Sequence, residues 1–257
     1  MTKFAIFVDG SNLFGSLKTL NCSIAEYDKF FNFILKKAFE VWGSSVIKGS
    51  EDARLVRTLW YVVGTIDGWD LSDERVKKQI FEWYKKDTDV YRSSMNLQKV
   101  QGGIKDLEIE AWNTFYLDIK NWYETKKENI DKQKEFYFGV SSGTDFIDII
   151  QCGHLKVDIL HKSLVEKGLD TFLAVDMVSL VETYDVALVV SGDADSIPSI
   201  QRIQQKGKHV GVIEFIKGHP PEKKGRESSS KLKALADFVV PIYETDLLRE
   251  NIAVGRQ

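Results

Sequence analysis

Two cysteines, Cys22 and Cys152, are all that the 257 residues contain, and they stand far apart. So thin a supply excludes a disulfide framework, and their spacing fits no cysteine-based metal motif; the pattern is that of a protein from a reducing compartment. No apolar run approaches the length that spans a bilayer. A strand-like stretch begins by Lys3 or Phe4, which leaves no room for a secretory leader, so the expected location is the cytoplasm. His154, His161, His209 and His219 are scattered without ligand spacing, and zinc is disfavoured. No glycine-rich phosphate loop follows an apolar run, and neither Ser11 nor Ser191 lies in a nucleophile-elbow pattern, which argues against acyl transfer. Neither acidic nor basic residues are in large excess. A formal net charge of -3 speaks against a protein that coats nucleic acid nonspecifically, but leaves room for a local basic patch.

What is present begins with short apolar runs of strand length. Phe4–Val8, Leu55–Val63, Phe146–Ile150, Val186–Val190, Val210–Phe215 and Phe238–Tyr243 all read as strands. Helical spacing runs from Tyr27 to Trp42, near Leu155–Lys167 with Gly168 as its stop, through Phe172–Val181 from Asp170 onward, and over Ile197–Lys206 ended by Gly207. Strands alternating with helices predict an α/β protein of Rossmann-like type, with a mostly parallel sheet covered by helices on both faces. The whole chain, 1–257, reads as a single domain. Residues 70–138, dense in charge and aromatics, read as a helical insertion broken near Gly102-Gly103: a hairpin without a core of its own. Residues 217–230, with Gly-His-Pro-Pro, basic residues and three serines, read as a mobile basic loop.

The acids carry the chemistry. Asp9 follows the first strand in Phe-Val-Asp-Gly-Ser-Asn, and Asp193 and Asp195 follow Val186–Val190 in Ser-Gly-Asp-Ala-Asp. Asp170 and Asp176 flank and enter an intervening apolar stretch. Any one Asp after a strand is a natural turn residue or helix cap, and Asp170 and Asp195 are good cap candidates. The recurrence favours more than caps, because parallel strands bring their carboxyl ends to one side of the sheet, where open α/β sheets bind ligands. Asp176, within apolar surroundings, is either a supporting member of the site or a satisfied buried acid. A cluster of hard oxygen donors suits Mg2+ or Mn2+, and the chemistry that needs only such a cluster and positioning is hydrolysis of a phosphodiester.

In order and spacing these segments resemble the NYN domain, in the LabA-like branch of the PIN-like nucleases. The likeness rests on Phe-Val-Asp9-Gly-Ser-Asn12-Leu, Lys167-Gly-Leu-Asp170 through Asp176, and Tyr184 through Asp195. Gly207-Lys-His-Val-Gly-Val and the segment ending at Phe238 extend it. It implies a metal-dependent ribonuclease, with Asp9, Asp170, Asp193 and Asp195 holding the metal, Asn12 positioning water or phosphate, and Asp176 and Ser191 in support. Where the family usually has an aromatic residue after the Asp-x-Asp pair, this chain has Ser196. RNA is the expected partner, single-stranded or looped by preference, with Lys223, Lys224 and Arg226 as candidate phosphate contacts. Aromatics of the insertion read as core, as a surface joining copies of the chain, or as stacking platforms for bases. Two rival readings stand beside this one. One is an NYN fold kept only for binding RNA or protein. The other is a metal-dependent adhesion module of von Willebrand A type, which Asp9-Gly10-Ser11-Asn12-Leu13 partly resembles.

Overall fold

The apolar runs Phe4–Val8 and Val186–Val190 form strands buried on both faces. The computed structural model describes residues 1–45, 52–101, 107–222, 224–225 and 229–256. Strand β1 (Thr2–Asp9) sends Phe4, Ile6 and Val8 into one apolar cluster and Ala5 and Phe7 into another. This two-faced burial is why the run is unbroken instead of alternating with polar residues. Helix α1 (Gly10–Thr19), strand β2 (Cys22–Ile24), helix α2 (Tyr27–Ser45) and strand β3 (Ala53–Ile66) follow. Then come α3 (Glu74–Lys86), α4 (Thr88–Gln101), α5 (Leu107–Ser142), β4 (Ile147–Asp158) and β5 (Ser163–Lys167). The chain continues with α6 (Leu169–Ser179), β6 (Val186–Val190), a 3-10 turn at Ala194–Ser196, α7 (Ile197–Gln205) and β7 (His209–Lys217). It closes with β8 (Lys224–Gly225), α8 (Ser230–Leu235), β9 (Phe238–Tyr243), α9 (Glu244–Arg249) and β10 (Ala253–Gly255).

Two compact units result. The first comprises residues 1–63, 136–153 and 168–257, and the second 64–135 and 154–167. In the first, the strands lie in the order β4-β3-β1-β6-β7, with β9 beside β7. Parallel pairing joins β1 to β3, β1 to β6, β6 to β7 and β7 to β9, while β8 pairs antiparallel with β7. A small antiparallel pair, β2 with β10, stands apart. From β1 the chain builds outward through β3 and β4, then returns to β6 on the other flank of β1. The boundary between β1 and β6 is therefore the topological switch point of the sheet, and its carboxyl end is where such sheets open a crevice. Helix α2 explains the amphipathic pattern: Phe30, Phe31, Ile34, Ala38 and Trp42 are buried at helical spacing. Near the switch point Gly10 is required by a close approach, since a Cβ there would lie 2.7 Å from the Tyr61 carbonyl oxygen.

The second unit corrects two expectations. It has its own apolar cluster, in which Ile80, Tyr84, Trp112, Ile119 and Tyr123 pack with Val157 and Ile159, so the insertion is not a coreless hairpin. The stretch Leu155–Lys167 is not a helix ended by Gly168. It is the end of β4 and all of β5, paired antiparallel from His154 with Lys167 to Asp158 with Ser163. Leu155, Val157 and Ile159 alternate at the period of a strand, and the turn between is marked by Lys162 at φ 48°. Helix α4, unforeseen in the sequence, is tied in by a 2.6 Å hydrogen bond between the Tyr84 hydroxyl and Ser94 Oγ. Among the described residues, no helix is long and apolar enough to cross a membrane.

Candidate active site

The switch point gathers its side chains from three elements of the first unit. Asp9 ends β1 with an extended backbone and caps α1: its carboxylate accepts a hydrogen bond from the Asn12 backbone N–H at 2.9 Å. The Asn12 side-chain amide donates to the other carboxylate oxygen. That places a buried acid, only 3% exposed, against two donors. Asn12 then reaches across the switch point, its Oδ1 accepting from the Gly192 N–H at 3.3 Å. One asparagine thus joins the end of β1 to the loop after β6.

That loop is braced by its own side chains. The Asp193 N–H donates to Ser191 Oγ at 3.1 Å, and the Asp193 carboxylate accepts from the Asp195 N–H at 3.1 Å, capping the 3-10 turn. Asp193, not Asp195, is therefore the cap here, and α7 starts behind Ser196 with a proline in its first turn. Asp170 comes from the first turn of α6. It is not the cap of that helix either; Gly168 is, in the left-handed conformation at φ 89°. One carboxylate oxygen each from Asp170, Asp193 and Asp195 lies within 4.8 Å of the others, Asp170 half-buried and the other two exposed. Three negative groups at that spacing repel one another unless a cation lies among them, and an all-oxygen set fits a hard divalent ion. Asp9 is not one of these three.

Asp176 and Ser191 are each engaged by a hydrogen bond within the first unit. The Tyr61 hydroxyl donates to Asp176 at 3.0 Å, and Tyr61 is itself the register partner of Asp9 on β3. Burial, then the Asp176 charge beside it, drives the Tyr61 phenol far above its ordinary pKa, so it stays protonated as a donor. Ser191 is buried and serves as the acceptor already described. Tyr61 and Gly192 belong to this arrangement although the sequence reading did not single them out. The only signal for Tyr61 is its place in the strand beside β1, and for Gly192 its place within Ser-Gly-Asp. The side chains of Lys223, Lys224 and Arg226 lie outside the described residues, so the expected phosphate contacts have no structural description.

The family model of the NYN domain matches residues 113–242, about half of the chain. The chain belongs to the NYN-domain family. The matched range runs from within α5 to within β9 and includes Asp170, Asp193 and Asp195, whereas Asp9 and Asn12 precede it. Membership gives the α/β architecture its PIN-like character and puts the NYN chain among nuclease-type hydrolases. A crystal structure of a protein of unknown function from Vibrio parahaemolyticus is similar over 94% of this chain and 93% of that one, at 16% identity and a TM-score of 0.47. None of the curated proteins matches the sequence.

Proposed function

We infer that this NYN domain is a divalent-metal-dependent ribonuclease that hydrolyses RNA phosphodiester bonds. The observation that carries the reading is the convergence of Asp170, Asp193 and Asp195 beside the switch point of the sheet. The order of the acids along the chain, Asp9, Asp170, Asp193, Asp195, resembles that of the LabA-like branch. Asp170, Asp193 and Asp195 would hold Mg2+ or Mn2+. The ion would supply Lewis acidity toward a phosphoryl oxygen and neutralise charge that develops there. Asp9 contributes as the group that fixes Asn12, and Asn12 sets the height of the Gly192-Asp193 loop over β1. Ser191 and Asp195 hold Asp193 from both sides, which reduces the freedom of the ligand before any ion arrives. Asp176 accepts from the Tyr61 hydroxyl and would hold that side chain of the neighbouring strand in place.

The test is cleavage of labelled RNA and DNA by purified protein with Mg2+, with Mn2+ and with EDTA. RNA cleavage that EDTA abolishes is expected. Asp193→Asn should lower the rate by about 100-fold or more, which is about 2.7 kcal/mol of lost transition-state stabilisation, while the fold is retained. Equal cleavage by the variant, or cleavage that persists in EDTA, would overturn the assignment. RNA binding without any cleavage by the unmutated chain would instead make it a binding module.

A further inference from the structure

Away from the acidic cluster, the second unit contains a cavity of about 480 Å³ lined by Trp69, Trp83, Lys156, Ser163, Val165 and Lys167 among others. Its walls follow from the pairing of β4 with β5, which sets Lys156 opposite Val165. The alternate residues Val157 and Ile159 are buried in the core of this unit, with Leu164 packed against them. Lys156, Ser163, Val165 and Lys167 are left exposed. Trp83, on α3, is 37% exposed and meets Trp69 edge to face, with centroids 5.9 Å apart and planes at 81°. Two indoles at right angles form a corner that suits a flat ring. Lys156 and Lys167 make no ion pair with any described residue, unlike Lys162, which is tied to Asp118. The carboxylate on the wall, Asp158, faces His161 at 3.0 Å.

An open corner of tryptophan flanked by two uncompensated ammonium groups matches a ligand that is flat and aromatic at one end and anionic at the other. The volume lies within the ordinary range for a small-ligand pocket. We propose that this pocket is an accessory site for single-stranded RNA, taking an unpaired base against Trp69 and Trp83 and adjoining phosphates on Lys156 and Lys167. The choice of RNA as the ligand rests on the ribonuclease reading; the aromatic and cationic walls do not. An acidic peptide would satisfy the lysines yet leave the indole corner unfilled.

The experiment uses the full chain carrying Asp193→Asn, in EDTA, with AMP, a short oligouridylate and a polyglutamate peptide as probes. Tryptophan fluorescence and the indole N–H resonances of Trp69 and Trp83 are followed. AMP and the oligonucleotide should shift those two resonances and quench the emission, while polyglutamate should not. Trp83→Ala should weaken oligonucleotide binding by roughly tenfold. Because that change also removes a packing contact, Lys156→Gln with Lys167→Gln provides a surface variant. It should weaken binding and lower the steepness of the log affinity against log salt plot by roughly 0.7 per lysine. Unmoved indole resonances, an equal response to polyglutamate, or unaltered affinity and salt dependence in the lysine variant would each overturn the proposal. The metal-dependent cleavage assay separates the two ideas. Cleavage without indole shifts removes this site alone, and indole shifts without cleavage remove the ribonuclease reading alone.

Discussion

At Asp9, replacing one carboxylate oxygen by an amide nitrogen would disturb more than one hydrogen bond. Both oxygens accept from Asn12. In Asp9→Asn a new donor would face the Asn12 amide donor, and Asn12 can relieve that only by turning its amide over. Turning it removes the oxygen that accepts from Gly192. The variant should therefore lose about 10- to 100-fold in cleavage, the usual effect of losing a group that orients a ligand, and should need more metal for half-maximal rate. Asp193→Asn should instead show a loss that added metal restores little. Metal titrations of the two variants distinguish the roles, and identical metal dependence would refute the positioning role of Asp9. The acids themselves were legible because each follows or enters an apolar run. Their bonding was not: Asn12 and Gly192 are 180 residues apart in sequence, and no local pattern reports such a contact. The caps differ from expectation for a local reason: glycine at φ 89° starts α6, Asp193 caps a 3-10 turn that the sequence pattern does not announce, and Ser196 then starts α7.

Among the elements, one junction of the second unit should respond to pH. His161 lies between Asp158, at 3.0 Å from Nδ1, and Asp87, at 3.2 Å from Nε2. Asp87 also closes the corner between α3 and α4, accepting from the Val90 N–H at 3.0 Å. The hydrogen bond to Asp158, then its charge, raises the His161 pKa above its ordinary value of 6.5, with Asp87 adding to the effect. A folded pKa above the unfolded one stabilises the fold fully below the unfolded value. That contribution fades as pH rises through the folded value. The thermal midpoint should accordingly fall as pH rises above the ordinary His value of 6.5, and His161→Ala should flatten that slope. An unchanged slope in His161→Ala would refute the assignment. Strands β1, β6 and β9 were readable because strands buried on both faces, or pressed against such strands, give compact apolar runs of strand length. The segment Leu155–Lys167 was not, because its mixed composition satisfies helical spacing nearly as well as alternation. Helix α4 offers few apolar residues in a regular stripe, so periodicity did not reveal it.

At the scale of the whole chain, three elements are divided between the two units. Strands β3 and β4 and helix α5 each begin in one unit and end in the other. Deleting 70–138, the boundary that composition alone suggests, would remove Ile80, Tyr84, Trp112, Ile119 and Tyr123 but leave Val157 and Ile159 behind. Each stranded side chain forfeits about 1.5–3 kcal/mol of burial. The deletion protein should bind a hydrophobic dye and aggregate, whereas a soluble, dye-silent product would show that the β4–β5 ribbon does not depend on that core.

The bridge from Asp9 through Asn12 to Gly192 has a further consequence, in time. As this chain grows, β1 must wait for β6 before its side of the crevice exists, and the three-carboxylate cluster awaits Asp195. A growing chain therefore carries no assembled cluster until the residues through Asp195 have been made, and any chemistry that the cluster supports can start only then.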